Sequence, residues 1–495
     1  MTLVIDQYFV QGMDHSVRSL FRLSSLYALG NTVVYLLTIV AVSIYTRLLP
    51  VSEYGKIAMF SATLRVVMIV ALCGLIPSML RFTKEYGEAV TLSSGLVSAL
   101  IAGSVVCTLL VYWAPTLSRL VFGTSDYRTL LVILAFIVVI ENLAQPGLSL
   151  LRVEERMRLF WGIRIIRTAI QVIVAFLLIY WLKLGVYAVA YAVLFSGLVQ
   201  LSTTWWVTRR YVTSPSWGLT KILFRYGVFH LFTSLAFWLL VYIDRYFLLR
   251  YWGYGNVGIY NLGYKLGSIV SFLYVQPFLQ SWNARYLGVS IKAGDLEGWN
   301  RFFSSVIEKY TIIGVTIGIS LTVWARELVI LVSGETYLPA VPIIAGITFS
   351  LVIFGIHYAL LWGIMRAPTP VFLPIPIIVA TLTNIGLNVL LIPKYGMIGA
   401  MLATVVSYIV LTVVGLILTQ KRAQYKPKIL WRIPMSFIVG YIVFVLITMW
   451  LTPVWGRILL WCVYLVTLYL YLVNRYGARG TIQQLKALTY SIFKI

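Results

Sequence analysis

Long apolar segments follow one another along most of the chain, with short polar connections between them. Fourteen segments approach the length of about twenty residues that a helix needs to cross the hydrocarbon core of a bilayer. They cover residues 25–46, 57–80, 90–113, 127–150, 161–182, 185–207, 226–249, 259–283, 306–324, 340–361, 371–392, 396–419, 433–451 and 454–473. This pattern predicts an all-α polytopic membrane protein of about fourteen transmembrane helices.

The first twelve spans form two related blocks of six. Three short motifs recur in the same order, and each is anchored by a glycine. The paired glycines are Gly55 and Gly258, 203 residues apart, then Gly123 and Gly334, and Gly185 and Gly396, both 211 residues apart. Because each block has an even number of spans, the copies must be parallel, related by an axis along the membrane normal. The repeat predicts two six-helix lobes around a central cavity.

The domain boundaries follow from these blocks. We predict an N-lobe at 25–207, a C-lobe at 226–419 and two further helices within 433–473, flanked by a cytoplasmic segment at 1–24 and a cytoplasmic tail at 474–495. The termini and the even-numbered connections carry about 25 Lys and Arg, whereas the odd-numbered connections carry about 10. Basic residues resist translocation, so both termini are expected in the cytoplasm.

Composition agrees with a membrane protein. The chain is 61% apolar and only 11% charged, which excludes a water-soluble globule. Its net charge of +24 is dispersed over short connections, so topology explains it better than nucleic-acid binding does. Three cysteines lie inside apolar runs, and the chain lacks phosphate-loop and zinc-protease motifs. We therefore predict no catalytic residues, no metal and no cofactor.

Charged residues inside spans are rare and mark functional sites by default. The candidates are Arg65 in the second span, Arg164 and Arg167 in the fifth, Lys265 in the eighth, Glu141 in the fourth and Asp244 in the seventh. Basic residues outnumber acidic ones, so a cavity that they line would attract an anion. Arginine is particularly suited to phosphate or pyrophosphate.

Each of these candidates has a structural alternative. The basic residues can pair with Glu141 and Asp244 or extend to the membrane surface. Glu141 can carry a proton or form a salt bridge with an arginine. Asp244 and Arg245 can be an interfacial ion pair. Tyr264, next to Lys265, can stack on a sugar ring or pack in the protein.

Three short segments resemble a known family. Residues 45–55 (YTRLLPVSEYG), together with 244–248 (DRYFL) and 257–260 (VGIY), resemble the polysaccharide transporter or oligosaccharide flippase family of the multidrug/oligosaccharidyl-lipid/polysaccharide exporter superfamily. The likeness extends over nearly the whole chain. It implies two lobes in a V, alternating access, and movement of a polyprenyl-pyrophosphate-linked oligosaccharide from the cytoplasmic to the outer leaflet for cell-surface polysaccharide synthesis.

The resemblance also implies a set of site residues. The family's basic cavity residues are best matched by Arg65, Arg167 and Lys265, with Arg47 and Arg245 at the outer rim. Arg164 is a candidate from its own position, three residues before Arg167 on the same helical face. Tyr264 is the candidate for contact with sugar. Glu141 and Asp244 are the candidates for coupling transport to an ion gradient.

The same resemblance implies a monomer in the cytoplasmic (inner) membrane of a prokaryote. Its partners would be the lipid-linked oligosaccharide and membrane lipids, with a glycan polymerase and glycosyltransferases as possible protein partners. A flippase for the peptidoglycan precursor lipid II is a close alternative. A drug exporter would need an acidic cavity, and a membrane polymerase or ligase usually has a long outer loop with catalytic residues, so both are weaker alternatives.

Overall fold

The computed structural model describes residues 15–276, 278–279, 296–361, 372, 374–422, 432–450 and 454–476. The ends of the predicted terminal segments, 1–14 and 477–495, lie outside this range. The N-terminal half consists of α1 His15–Leu48, α2 Val51–Leu72, α3 Leu75–Tyr86, α4 Glu88–Tyr112, α5 Ala114–Phe122, α6 Arg128–Val153, α7 Met157–Tyr180 and α8 Val186–Thr208.

The C-terminal half has the same character. A 3₁₀ turn at Arg209–Tyr211 leads to α9 Trp217–Gly267, a π-helical turn Ser271–Val275, α10 Leu296–Val323, α11 Ala325–Ser333, a 3₁₀ segment Glu335–Ala340, α12 Val341–Leu360, α13 Pro374–Arg422, α14 Arg432–Trp450 and α15 Val454–Tyr476.

The described helices match the predicted number of spans. Eleven helical segments are long and apolar enough to cross a membrane. Two of them, within α9 and α13, are each a pair of helices joined at a glycine with non-helical backbone, Gly253 and Gly396. A shorter apolar helix at Ile433–Thr448 completes the set of fourteen. The predicted all-α polytopic fold is therefore confirmed.

The internal repeat is visible in the backbone. Gly185 has φ 55° and ψ −130°, and Gly396, 211 residues later, has φ 54° and ψ −129°. Trp113 and Trp324 are also 211 residues apart, with φ/ψ of −92°/7° and −90°/6°. Each tryptophan precedes a nine-residue helix, α5 or α11. Equivalent positions of the two halves thus adopt the same local structure.

The second span differs from its prediction, which placed one helix at 57–80. The structure breaks it at Cys73 and Gly74, which have positive φ angles of 42° and 67°. A Cβ atom on Gly74 would lie 2.3 Å from the carbonyl oxygen of Gly227, so only glycine permits this approach of α9. The break lets α2 and α3 both pack along α9.

The lobes cross at two glycines that are equivalent in the repeat. A Cβ on Gly55 would lie 1.9 Å from the carbonyl oxygen of Tyr254, and one on Gly258 would lie 2.5 Å from that of Val51. In addition, the Tyr254 hydroxyl donates to the Phe122 carbonyl at 2.6 Å. The backbones of α2 and α9 are therefore in direct contact near the connection that follows α1.

Large apolar side chains cover much of the outside of the molecule. Among them are Leu100, Leu109, Phe232, Leu390 and Leu459, each at least half exposed. Such a surface would aggregate in water but is compatible with hydrocarbon. The lobes also share one continuous apolar core, which includes Ala41, Phe60, Leu134, Val257 and Ile347. Lipid on the outside and packing between helices thus account for most of the apolar residues.

Candidate functional site

The structure distributes the predicted site residues over three places. Arg65, Lys265, Arg245, Asp244 and Tyr264 lie where α2 and α9 meet, and we call them the boundary cluster. Arg164, Arg167 and Glu141 lie between α6 and α7, and with Arg152 we call them the N-lobe cluster. Arg47 lies apart from both, at the end of α1.

The boundary cluster contains two cations without a carboxylate. Arg65 is exposed, and its guanidinium lies 5.7 Å from the ring centre of Tyr242. Lys265 is half-buried, and Arg65 and Arg245 are the charges that act on its ammonium. Among the side chains that the structure describes, neither Arg65 nor Lys265 is in an ion pair with Asp or Glu. Like charges that act on one another raise each other's energy, and a bound anion would relieve that repulsion.

Helix α1 fixes the backbone at Lys265. The hydroxyl of Tyr35 donates to the Lys265 carbonyl at 3.2 Å, and the Tyr35 ring stacks on Phe272 at 5.0 Å between centres. The Ser268 hydroxyl donates to the same carbonyl at 2.7 Å. A residue of the N-lobe therefore positions a cation of the C-lobe, so movement between the lobes would alter this cluster.

The side chain of Arg245 is enclosed in the protein. Its side chain is only 2% exposed. It donates to Asp244 at 2.9 Å, to the Val241 carbonyl at 2.7 Å and to Asn261 at 3.3 Å. These hydrogen bonds neutralise and enclose the Arg245 charge in this conformation. A buried guanidinium needs such partners to offset the loss of water. The expected position at the outer rim stays a prediction, but the side chain is not accessible to a ligand in this conformation.

The partners of Arg245 include two other predicted residues. Asp244 is 1% exposed and also accepts a hydrogen bond of 2.5 Å from the Tyr260 hydroxyl. The Tyr264 ring lies 4.6 Å from the Arg245 guanidinium and is 9% exposed. Here Tyr264 packs on an arginine, which is the structural alternative that the sequence left open.

The N-lobe cluster holds three arginines and one carboxylate. Arg167 donates to Glu141 in a short ion pair, and Gln200 donates to the other Glu141 oxygen at 3.4 Å. Arg164 interacts electrostatically with Arg167, Glu141 and Arg152. Three positive charges therefore face one negative charge, and the group retains an excess of positive charge.

Arg152 is the residue that sequence reasoning missed, since it was counted only as a topology signal at the end of the fourth span. Its Nε atom is buried and has no hydrogen-bond partner among the residues that the structure describes. Its guanidinium lies 5.8 Å from the Phe160 ring centre, and that of Arg164 lies 5.6 Å from the same ring. The turn that connects α6 to α7 follows Arg152, and it contains an ion pair between Arg156 and Glu154 at 3.3 Å.

Arg47 binds the end of a helix of the other lobe. Its guanidinium donates to the carbonyls of Leu331 at 2.6 Å and Val332 at 3.3 Å, in the last turn of α11. The neighbouring Thr46 donates to the Ser333 hydroxyl at 2.9 Å. A cation at a helix C-terminus is stabilising, so Arg47 has a structural role where the lobes touch.

Comparison with known proteins identifies a family. The sequence profile described as "Polysaccharide biosynthesis protein" matches residues 44–342, more than half of the chain. The chain is also 24% identical over 396 residues to the "Probable low-salt glycan biosynthesis flippase Agl15" of Haloferax volcanii, covering 76% of this chain and 78% of that protein.

Two solved structures share the fold. The lipid II flippase MurJ in an inward closed conformation superposes with a TM-score of 0.70 and 14% identity, covering 91% of this chain and 99% of that one. An inward-facing multidrug resistance MATE family transporter of the MOP superfamily gives a TM-score of 0.60 and 18% identity, covering 78% and 93%. At these identities the likeness establishes architecture and leaves the cargo to be argued from the site.

Proposed function

Because the chain belongs to the family of polysaccharide biosynthesis proteins, the polysaccharide transporters and flippases of the multidrug/oligosaccharidyl-lipid/polysaccharide exporter superfamily, we propose that it is a flippase for a lipid-linked glycan. The cargo is an oligosaccharide on a polyprenyl pyrophosphate. It moves from the cytoplasmic to the outer leaflet of the cytoplasmic membrane, and both termini of the protein are on the cytoplasmic side. The product serves cell-surface polysaccharide synthesis.

One observation carries the choice of cargo: Arg65 and Lys265 come from different lobes, Arg65 acts electrostatically on Lys265, and neither has a carboxylate partner among the described residues. A pyrophosphate provides the missing negative charge and accepts several charge-assisted hydrogen bonds. Arg65 suits it geometrically because a guanidinium can bind two phosphate oxygens at once. In the proposed mechanism these two cations bind the pyrophosphate while the polyprenyl tail stays in lipid.

Movement of the lobes then exposes the head group on the other side. The cations that bind the pyrophosphate belong to both lobes, so separating α2 from α9 pulls the site apart and releases the anion. The N-lobe cluster, with its excess of positive charge, lies between α6 and α7 and attracts the same anionic head group. Glu141 and Asp244 are the candidates for coupling this cycle to an ion gradient, and each is held by an arginine.

The pairing of the acidic residues argues against export of cationic drugs. Glu141 and Asp244 are both neutralised by arginine, so the described interior offers an excess of positive charge. An organic cation would be repelled by such a site. Lipid II remains a second anionic lipid to test, because it also joins a pyrophosphate to a polyprenol.

The test is a head-group protection assay in liposomes. The purified protein is reconstituted with a fluorescent polyprenyl-pyrophosphate oligosaccharide, and a quencher that does not cross the membrane reports the fraction outside. We expect the protected fraction to change with time only in vesicles that contain the protein. Parallel assays use lipid II and a fluorescent cationic drug. Transport of the drug, with neither pyrophosphate lipid moved, would overturn the proposal.

A further inference from the structure

A cavity of about 670 Å³ opens at the connections that follow the first, third and fifth spans, away from both basic clusters. This volume is typical of a site for a small molecule, roughly 300–1,000 Å³. In the proposed topology it is on the outer face. Its polar and aromatic lining consists of Glu53, Lys56, Tyr127, Tyr180, Lys183 and Tyr187.

The repeat provides an internal comparison for this cavity. The same corner of the C-lobe contains Trp252, the equivalent of Leu49 at an offset of 203 residues. The Trp252 ring lies 3.1 Å from the position that a Cβ on Gly396 would take, and its indole nitrogen donates to the Ile392 carbonyl at 2.8 Å. In the N-lobe the equivalent corner holds the Glu53 carboxylate, whose Oε2 lies 2.5 Å from the position of a Cβ on Gly185. An indole thus occupies in the C-lobe the corner that a carboxylate occupies beside the N-lobe cavity.

The chemistry of the two corners differs as well. At the repeat offsets of 203 and 211 residues, the C-lobe has mostly apolar residues where the N-lobe has polar or aromatic ones. In place of Lys56, Tyr127, Tyr180 and Tyr187 it has Ile259, Leu338, Leu391 and Ile398. The other two polar positions are kept in character, with Asn256 in place of Glu53 and Lys394 in place of Lys183. The fold alone therefore does not require Lys56 and the three tyrosines, because its second copy is built without them.

We propose that this N-lobe cavity binds the sugar part of the glycan on the outer face, as an exit site. Tyrosine faces stack on sugar rings, and carboxylate and ammonium groups hydrogen-bond to hydroxyls. Tyr180 is 60% exposed at the cavity's edge, and Tyr127 and Tyr187 are half-buried inside it. This inference rests on the proposed function, which brings a glycan head group to this face.

The charges favour a sugar over a lipid phosphate. The N-terminus of α8 would attract a phosphate, but Glu53 already accepts the hydrogen bond of the Val186 amide at 3.1 Å. Glu53 also binds Lys56 at 2.6 Å, so the Lys56 charge is compensated. Lys183 is the remaining cation, and it is exposed at the rim. A phosphate would meet the Glu53 carboxylate, whereas a sugar hydroxyl can donate to it.

The experiment measures binding of free glycan to the full-length protein in lipid nanodiscs. The probe is the water-soluble oligosaccharide that mild acid releases from the host's own lipid-linked pool, followed by saturation-transfer difference NMR. The Leu49→Trp substitution places in the N-lobe the side chain that occupies the C-lobe corner, and we expect it to weaken binding by about tenfold or more. The matched control, Trp252→Leu, should bind like the wild type.

A second variant distinguishes a loss of binding from a loss of the fold. Lys183 is exposed, so Lys183→Ala should leave thermal unfolding unchanged and weaken glycan binding by about threefold or more. Equal binding by the wild type, Leu49→Trp and Lys183→Ala would overturn the exit site. So would displacement of the glycan by short-chain phosphatidylglycerol, which would identify the cavity as a lipid head-group site.

The two proposals fail separately. Wild-type protein that flips the lipid-linked oligosaccharide but does not bind the free glycan contradicts the exit site and leaves the flippase intact. Protein that binds the free glycan in the cavity but moves no lipid-linked cargo contradicts the flippase instead.

Discussion

The boundary cluster and the N-lobe cluster both contain arginines, yet they differ in how their carboxylates are used. In the N-lobe cluster Glu141 lies among the arginines and neutralises Arg167. At the boundary Asp244 is bound to Arg245, so Arg65 and Lys265 have no carboxylate partner within the described part of the chain. The charge available to a ligand therefore depends on which cations lack an acidic partner. The number of cations inside the spans does not predict it.

The largest effect is expected on stability, from breaking the buried ion pair between Asp244 and Arg245 in the boundary cluster. Asp244→Asn leaves the fully buried Arg245 without its counter-charge, and such a loss costs about 3–5 kcal/mol. We expect a large drop in thermal unfolding temperature in detergent and low membrane abundance. Asp126→Asn, at an exposed carboxylate, is the control and should behave like the wild type. A stable Asp244→Asn protein would contradict a structural role for the pair.

The next largest effect is expected on the rate of transport. It should distinguish Arg65 and Lys265 from an arginine that forms an ion pair. Arg65→Ala and Lys265→Ala should each slow head-group translocation by about 10- to 100-fold, because each removes a charge-assisted contact of about 1.5–3 kcal/mol. Lys265→Arg keeps the charge and should retain most activity. Arg81→Ala, at an exposed pair with Glu85, controls for the loss of any arginine. Normal rates in both alanine variants, at equal abundance, would refute the anion site.

The third prediction tests whether Arg167 acts mainly with Glu141. Arg167→Gln and Glu141→Gln should each lower stability, and the double variant should be less affected than their sum, with a coupling of about 1–3 kcal/mol. Thermal unfolding of the four proteins measures this cycle. Additive losses would mean that the two side chains are independent, and Arg167 would then join Arg65 and Lys265 as a candidate ligand for the anion.

The smallest effect is expected outside both clusters. Arg47→Ala removes the cation at the C-terminus of α11, where such a charge contributes about 0.3–1 kcal/mol. Thermal unfolding should fall slightly, and translocation should change far less than in Lys265→Ala. A loss of transport as severe as that of Lys265→Ala would place Arg47 in the binding site.

The fold could be predicted from the sequence because lipid imposes a simple rule. Each span must be about twenty apolar residues long, and a parallel repeat leaves matching glycines such as Gly185 and Gly396. Helix ends were less predictable. The break at Cys73 and Gly74 depends on the close passage of Gly227, a contact between residues 153 positions apart that no local pattern reveals.

The site could be predicted only in part. Charge inside the spans singled out Arg65, Lys265, Glu141 and Asp244 as candidates, but the pairing of these charges is a tertiary property. The sequence left open whether Asp244 binds Arg245, and it could not show that Arg245 is enclosed by tyrosines. Arg152 was missed because a basic residue at a span end is ordinarily a topology signal.

The central claim is that Arg65 and Lys265 bind the pyrophosphate, and the most direct measurement is the affinity of purified protein in nanodiscs for polyprenyl pyrophosphate and for the uncharged polyprenol. The wild type should prefer the pyrophosphate by about tenfold or more, and the Arg65→Ala/Lys265→Ala double variant should lose that preference while still binding the polyprenol. Equal affinity of the wild type for the two lipids, or an unchanged preference in the double variant, would contradict the account.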